Sequence, residues 1–322
     1  MRTQTKIIVA VAFVLTAMLG TPIVTAQAPL KIAIVMPGVI TDQAWNQSGY
    51  EGLLAIQKQF GAQIAYTEKV PQPEQAQALA DYARRGYDLV IGHGGEFDAA
   101  VLQVAARFPK TKFVVTNGQA TGANVASLAI NHWQGAYLGG AVAGLMTKSN
   151  KVAIVTGQQF QAVTDMIEGF TAGATAANPR VKVAVSYTGD WDDAGKAKEA
   201  ALAHIADGAD ILYPMLDLAF IGVIQAAREK KVWAIGFVSD VLDIAPETVL
   251  TSVIENIGFA MVQFVQIVLD GKFEGKQYYI GVDEPRAAGL GRFNPIVPES
   301  VRKQAENIRQ ALIKGTVKRA AK

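Results

Sequence analysis

The chain has 322 residues, half of them hydrophobic, with 30 Lys and Arg against 28 Asp and Glu. A formal charge of +2 leaves no basic stripe for a phosphate backbone, so a nucleic-acid polymer is not an expected partner. The chain contains no cysteine, which excludes disulfides, thiolate catalysis and Cys-ligated zinc; stability must come from apolar burial, which this length supplies through two domains.

Residues 1–28 read as a cleavable secretory signal peptide: Arg2 and Lys6 precede an apolar run, Ile7–Leu19, and small-residue cleavage signatures end at Ala26 and Ala28. No lipobox cysteine follows, so the expected mature protein is soluble, and periplasmic in a two-membrane host. From there apolar runs alternate with helical patterns. Lys31–Met36 predicts a buried strand, followed by a loop, Thr41–Gly49, and a helix over Tyr50–Phe60. Further strands are predicted at Gln63–Thr67, Asp88–Gly92, Lys112–Thr116 and Val125–Ile130, with helices at Glu74–Arg85 and Phe97–Phe108 between them. The alternation then starts again: strands at Lys151–Val155, Val181–Tyr187, Asp210–Tyr213 and Val232–Phe237, helices at Gln134–Thr147, Ala162–Ala176, Asp193–Ala206 and Leu218–Lys230. Such alternation predicts βαβ units and mostly parallel, doubly wound sheets in two lobes. Beyond Asp240 a strand (Val249–Ile254), an apolar helix (Gly258–Leu269), a strand (Gln277–Val282) and a terminal helix (Ser300–Ile313) imply that the chain crosses between lobes more than once. The expected division is residues 29–130 plus about 253–280 in one lobe, and 131–252 plus about 281–322 in the other.

In open α/β sheets ligands bind beyond the carboxyl ends of strands. The first such loop carries Asp42, Trp45, Asn46 and Gln47, a set suited to a flat, polar-edged ligand, with the indole on its face and the short polar groups on its rim. The alternative assignment is a core tryptophan and a helix-capping aspartate. The loop at Gly92–Asp98 offers His93, Gly94 and Glu96, whose glycines permit close backbone approach; Glu96 equally suits a first helical turn. In the second half, Trp191 occupies the place that Trp45 occupies in the first, beside Asp190, Asp192 and Asp193. Asp192 and Asp193 also suit a helix cap and first turn. Asp217 and Asp240 end strands as candidate acceptors, or serve as turn residues. Little supports catalysis: His93, His132 and His204 are scattered and no G-x-S-x-G elbow is present. No metal site and no cofactor are expected.

With these loops assembled, the chain resembles the basic membrane protein family, solute receptors similar to the purine nucleoside receptors of bacterial ABC importers. The resemblance covers nearly the whole mature chain. It rests on Asp42-Gln43-Ala44-Trp45-Asn46-Gln47 followed by Tyr50-Glu51-Gly52, on Gly92-x-Gly94 with Phe97-Asp98-Ala99, on Glu168-Gly169-Phe170 with Gly173, on Gly189-Asp190-Trp191-x-Asp193, and on Ile235-Gly236 with Asp240. It implies a type I periplasmic binding fold: two Rossmann-like lobes, three crossovers and hinge closure over ligand. It also implies a purine stacked between Trp45 and Trp191, with Asp42 and Asn46 on the base edge and Asp240 in the ribose pocket. The implied partners are a small ligand and a membrane permease, with the receptor a monomer. One departure stands out: where nucleoside binders carry a lysine, this chain has Glu255, which reverses the charge on the sugar side. The expected ligand is therefore a purine or related heterocycle, a free base ahead of a nucleoside. A sugar receptor, a sensor for a signalling partner and a secreted nucleoside hydrolase are the competing readings.

Overall fold

A computed structural model describes residues 29–42 and 44–319. The signal peptide read in residues 1–28 lies outside the described residues. Twelve strands and nine α-helices are assigned among them. In chain order they are β1 (Lys31–Val35), α1 (Trp45–Phe60), β2 (Gln63–Thr67), α2 (Gln75–Arg84), β3 (Leu89–His93), α3 (Asp98–Ala105), β4 (Lys112–Thr116) and β5 (Val125–Ile130). There follow α4 (His132–Met146), β6 (Lys151–Thr156), α5 (Gln161–Ala177), β7 (Lys182–Tyr187), α6 (Ala194–Ala206), β8 (Ile211–Met215), α7 (Phe220–Lys230) and β9 (Trp233–Val238). The chain closes with β10 (Val249–Glu255), α8 (Ile257–Leu269), β11 (Gln277–Ile280), β12 (Ala288–Leu290) and α9 (Glu299–Ile313).

The strands form two six-stranded sheets, ordered β11-β5-β4-β3-β1-β2 and β12-β10-β9-β8-β6-β7. The assigned pairings are parallel except β10 with β12. The central strands are buried on both faces, as parallel strands covered by helices must be, which is why they read as unbroken apolar runs. The chain passes between the sheets at Ile130–His132, at Glu255–Ile257 and between Ile280 and Ala288. β10 stays in the second sheet through Glu255, so that return falls at Asn256.

Helix α4 follows the first crossing and is apolar almost all round because it packs against both cores. Trp133, Tyr137 and Leu138 join the core of the first sheet, while Ala136, Val142 and Ala143 join that of the second. It meets α5 at backbone contact: a Cβ on Gly140 would lie 2.0 Å from the Phe170 carbonyl, and one on Gly173 2.0 Å from that of Tyr137. The terminal helix α9 likewise gives Val301 and Ala305 to one core and Leu312 to the other.

Three local features differ from the sequence expectation. Helix α1 begins at Trp45, not Tyr50, because the Asp42 carboxylate collects its first amides. Strand β12 is short and antiparallel and carries no periodic signal. Strand β8 runs through Pro214, which has no N–H to donate; the β8–β9 ladder has already ended at Leu212.

Candidate ligand site between the sheets

The first loop is fastened by its own polar groups. Asp42 is fully buried; its carboxylate accepts the backbone N–H groups of Ala44, Asn46 and Gln47 at 2.8–2.9 Å, and the Asn46 side-chain amide at 2.8 Å. Asn46 in turn accepts the Gly38 N–H at 3.1 Å. The two residues expected to read a base edge thus hold the loop against α1. The Gln47 amide donates to Glu51 at 2.9 Å.

Trp45 is half-buried and one face of its indole is covered: the His93 ring stacks on it with centroids 4.5 Å apart and planes 10° from parallel. His93 ends β3 and is fully buried, so it supports the tryptophan from beneath. Its Nε2 lies 3.0 Å from the Trp45 carbonyl and must donate there, leaving Nδ1 to accept the Thr116 hydroxyl at 2.9 Å. That hydroxyl oxygen accepts the Gly94 N–H at 3.1 Å. This neutral tautomer agrees with a His93 pKa lowered to about 4, where burial outweighs the bond to Trp45 and the charge of Asp42. Gly49 leaves the room: a Cβ there would lie 2.5 Å from the imidazole.

Gly94 adopts φ +129°, and a Cβ would fall 2.2 Å from the Glu96 carboxylate. Glu96 is solvent-accessible, yet its surroundings raise its carboxyl above the ordinary value, by desolvation first and then by the charge of Asp98, against a backbone hydrogen bond that lowers it.

On the second sheet, Asp190 accepts the N–H groups of Asp192 and Asp193, and Asp193 caps α6 through the Lys196 N–H at 3.0 Å. Trp191 is half-buried between Phe160, with centroids 5.7 Å apart, and Gly157, whose absent side chain makes space for the ring. Its carbonyl accepts the Ala219 N–H at 3.1 Å, which ties this loop to the one carrying Asp217. The Asp217 carboxyl is pushed well above the ordinary range by burial and then by the charges of Asp42, Asp192 and Glu96, while the Trp45 backbone N–H pulls it down. Asp192 is raised in the same sense by burial and then by Asp42 and Asp190, against a hydrogen bond from Leu218. Asp42, Trp45 and Glu96 follow strands of the first sheet; Asp192 and Asp217 follow strands of the second. The Trp45 N–H bond to Asp217 spans the two carboxyl edges.

Asp240 and Glu255 each hold a partner within the chain. Asp240 accepts the Arg292 guanidinium at 2.7 Å and its backbone N–H at 3.1 Å, and these contacts bring its carboxyl below the ordinary value although burial works against them. It lines a cavity of about 290 Å³ together with Gln47, Ser48, Val238 and Asn256. Val238 stands there at φ +66°, a left-handed backbone that is costly for a β-branched residue. Glu255 is buried and bonded to His132, with Nδ1 2.9 Å from both carboxylate oxygens. The expected sugar-side acid is therefore an internal ion-pair partner.

A larger cavity of about 430 Å³ opens on the hinge side, and its residues escaped the sequence reading. Asn117 and Gln119 after β4, Asn131 and His132 after β5, and Tyr279 on β11 form one wall; Gln161, Asp165 and Arg319 form another. Asn117 at φ +54° beyond a strand end is the one local signal that marks it. Among the described residues no cluster of three or more His, Asp or Glu side chains could hold a metal ion, and no helix is long and apolar enough to cross a membrane.

The family of ABC transporter substrate-binding proteins described as PnrA-like matches residues 30–320. The transcriptional activator protein med of Bacillus subtilis is 32% identical over 270 residues, 84% of each chain. A purine-binding protein of Brucella abortus is 28% identical over 286 residues, 87% of this chain and 80% of that one. Among solved structures, a transcriptional activator of the comK gene from Bacillus halodurans superimposes with TM-score 0.78 at 27% identity, covering 89% of this chain and 99% of the other. An ABC solute-binding protein from Aeropyrum pernix gives TM-score 0.82 at 19% identity, covering 91% and 94%. Two mainly parallel sheets joined by three crossings are the type I periplasmic binding fold, and the chain belongs to the PnrA-like (Bmp) family of ABC transporter substrate-binding proteins.

Proposed function

We propose that the protein is the periplasmic receptor of an ABC importer, that it captures a purine-type ligand, base or nucleoside, by closing its two lobes, and that it hands the ligand to a permease without chemical change. The observation that carries this reading is the convergence on Asp217. Carboxylates from both sheets act on one group that also meets the Trp45 backbone, with Trp191 on the adjoining loop. A purine offers N–H donors to ionised carboxylates and ring-nitrogen acceptors to a protonated one, and its faces suit indoles. Contacts from both lobes exist together only in the closed form, so ligand shifts the population toward closure. Relatives in Brucella abortus and Lactococcus lactis, named for purine and nucleoside binding, support the ligand class. The 32% identical relative named a transcriptional activator favours a second reading, a receptor that signals instead of feeding a permease.

The test is a thermal-shift screen of the mature protein against nucleobases, nucleosides, sugars and amino acids. Ligand at about 100 times its dissociation constant adds about 2.7 kcal/mol. Purine-type compounds should raise the midpoint, and Trp191→Ala and Trp45→Ala should each lower their affinity at least tenfold. Parent-like binding in both variants would remove the stacking model, and hits confined to amino acids would remove the ligand class.

A further inference from the structure

We propose that Thr116 is a positioning residue for Trp45: its hydroxyl fixes the imidazole that carries the indole, and so sets the plane in which a flat guest is received. Only the last step, the guest, rests on the purine-binding reading. Thr116 and His93 are the last pair of the parallel β3–β4 ladder, so their side chains leave the sheet on the same face. Both are fully buried, which keeps water from competing for their polar atoms. The Thr116 oxygen accepts the Gly94 N–H at 3.1 Å, and its single proton is thereby directed to His93 Nδ1 at 2.9 Å. His93 Nε2–H then donates to the Trp45 carbonyl at 3.0 Å. Bonds to both ring nitrogens act in the plane of the imidazole, so together they fix where the ring sits and how it tilts. The indole stacked on it, with centroids 4.5 Å apart and planes 10° from parallel, inherits that plane.

One hydroxyl therefore joins two loops of the first sheet to the end of β4. Gly94 leads into the turn that carries Glu96, and Trp45 opens α1. Packing alone would be served by Val at position 116, which has the shape of Thr; Val would leave the Gly94 N–H and His93 Nδ1 buried without partners. On the second sheet the aromatic support is looser. Trp191 meets Phe160 with centroids 5.7 Å apart and planes 58° apart, and Phe160 is 44% exposed. Trp45 is thus the fixed plate, and Trp191 the one that adjusts to the guest.

The test compares Thr116→Val and Thr116→Ser with the parent. In ligand-free protein at neutral pH, nitrogen NMR shifts should show His93 Nδ1 unprotonated and Nε2 protonated, and Overhauser contacts should link the His93 ring to the Trp45 indole. Thr116→Val should move the Nδ1 resonance and weaken those contacts, and Thr116→Ser should keep both. A protonated Nδ1 in the parent overturns the proposal, as does a Thr116→Val protein with the parent's Nδ1 shift and Trp45 contacts. The parent and Thr116→Ser decide the matter even where Thr116→Val does not fold: loss of the Nδ1 shift or of the Trp45 contacts in Thr116→Ser, which retains the hydroxyl, is equally fatal. With adenine and adenosine as probes, calorimetry should show Thr116→Val binding about tenfold more weakly and Thr116→Ser within about threefold of the parent, the scale of one buried hydrogen bond. Parent-like affinity in Thr116→Val overturns the link from Thr116 to the guest. A parent that binds neither probe removes the purine reading, and the ligand-free spectra then decide the role of Thr116 by themselves.

Discussion

Replacing Glu255 by Gln tests the buried pair that straps two of the crossings together. His132 opens α4 directly after the first crossing, and Glu255 closes β10 directly before the second. Burial works against a charged imidazole, but the Glu255 charge and hydrogen bond, with Asp165 behind them, outweigh it and raise the His132 pKa above 6.5. A group raised in the folded state contributes stability that is complete below the unfolded value and fades as pH climbs through the folded one. At 2.9 Å the gross attraction is about 6 kcal/mol for an effective dielectric of about 20, and desolvation of two buried ions consumes most of it. The net difference between a charged and a neutral hydrogen bond is about 1–2 kcal/mol. Glu255→Gln keeps the shape and an acceptor but removes the charge, so the buried imidazole turns neutral. Denaturant unfolding should therefore show a loss of about 1–2 kcal/mol near pH 5.5 that shrinks or reverses near pH 9, where the parent alone buries an anion. An identical loss at both pH values would refute the charged pair and leave only a packing role.

His93 should titrate in the opposite sense, with its ring C–H resonance moving at a midpoint near 4 and not near 6.5. Its lowered pKa makes about 3 kcal/mol of stability vanish as pH falls from 6.5 through that value, a change common to parent and Glu255→Gln. Gly140→Ala should cost about 1–3 kcal/mol in denaturant unfolding, because its Cβ would meet the Phe170 carbonyl at 2.0 Å, whereas Gly135→Ala, facing a Val253 methyl at 3.3 Å, should stay close to the parent. Asp217→Asn should raise ligand-free stability near neutral pH by on the order of 1 kcal/mol and change little near pH 4, since a carboxyl raised in the folded state is penalised only once the unfolded chain ionises; the same variant should bind purines more weakly.

The alternation of apolar runs and amphipathic helices made the two sheets legible, because buried parallel strands and their covering helices each leave a local period. The candidate loops were legible for a similar reason: they follow strand ends. What those loops do was not. Asp42 suits a cap or a ligand contact equally in sequence, and only the fold shows the amides of α1 meeting its carboxylate. The stacking of His93 under Trp45 joins positions 48 residues apart, and the His132–Glu255 pair joins positions 123 apart. Neither leaves a periodic trace. The hinge-side cavity is assembled from strand ends, an α5 face and the C-terminal segment, so only tertiary packing defines it.

The electrostatics of the interlobe face constrain what closure can capture. The cations near these loops are committed: Lys196 pairs with Asp190 and Asp193, and Arg292 with Asp240 and Asp243. Burial first, and then the charges of Asp42, Asp192 and Glu96, raise the Asp217 carboxyl, and the Trp45 backbone N–H offsets only part of this. Bringing these edges together is favourable when a proton sits on Asp217 or when a guest supplies N–H groups between them. A phosphorylated guest would add charge of the same sign and oppose closure, while on the proposed reading a neutral heterocycle with donor edges would remove the repulsion and gain the tryptophan faces. On the proposed reading, affinity and selection come from different residues. The indoles would reward any flat ring, Trp45 being held in place by a neutral His93, and the carboxylates would decide which flat rings let the lobes stay closed.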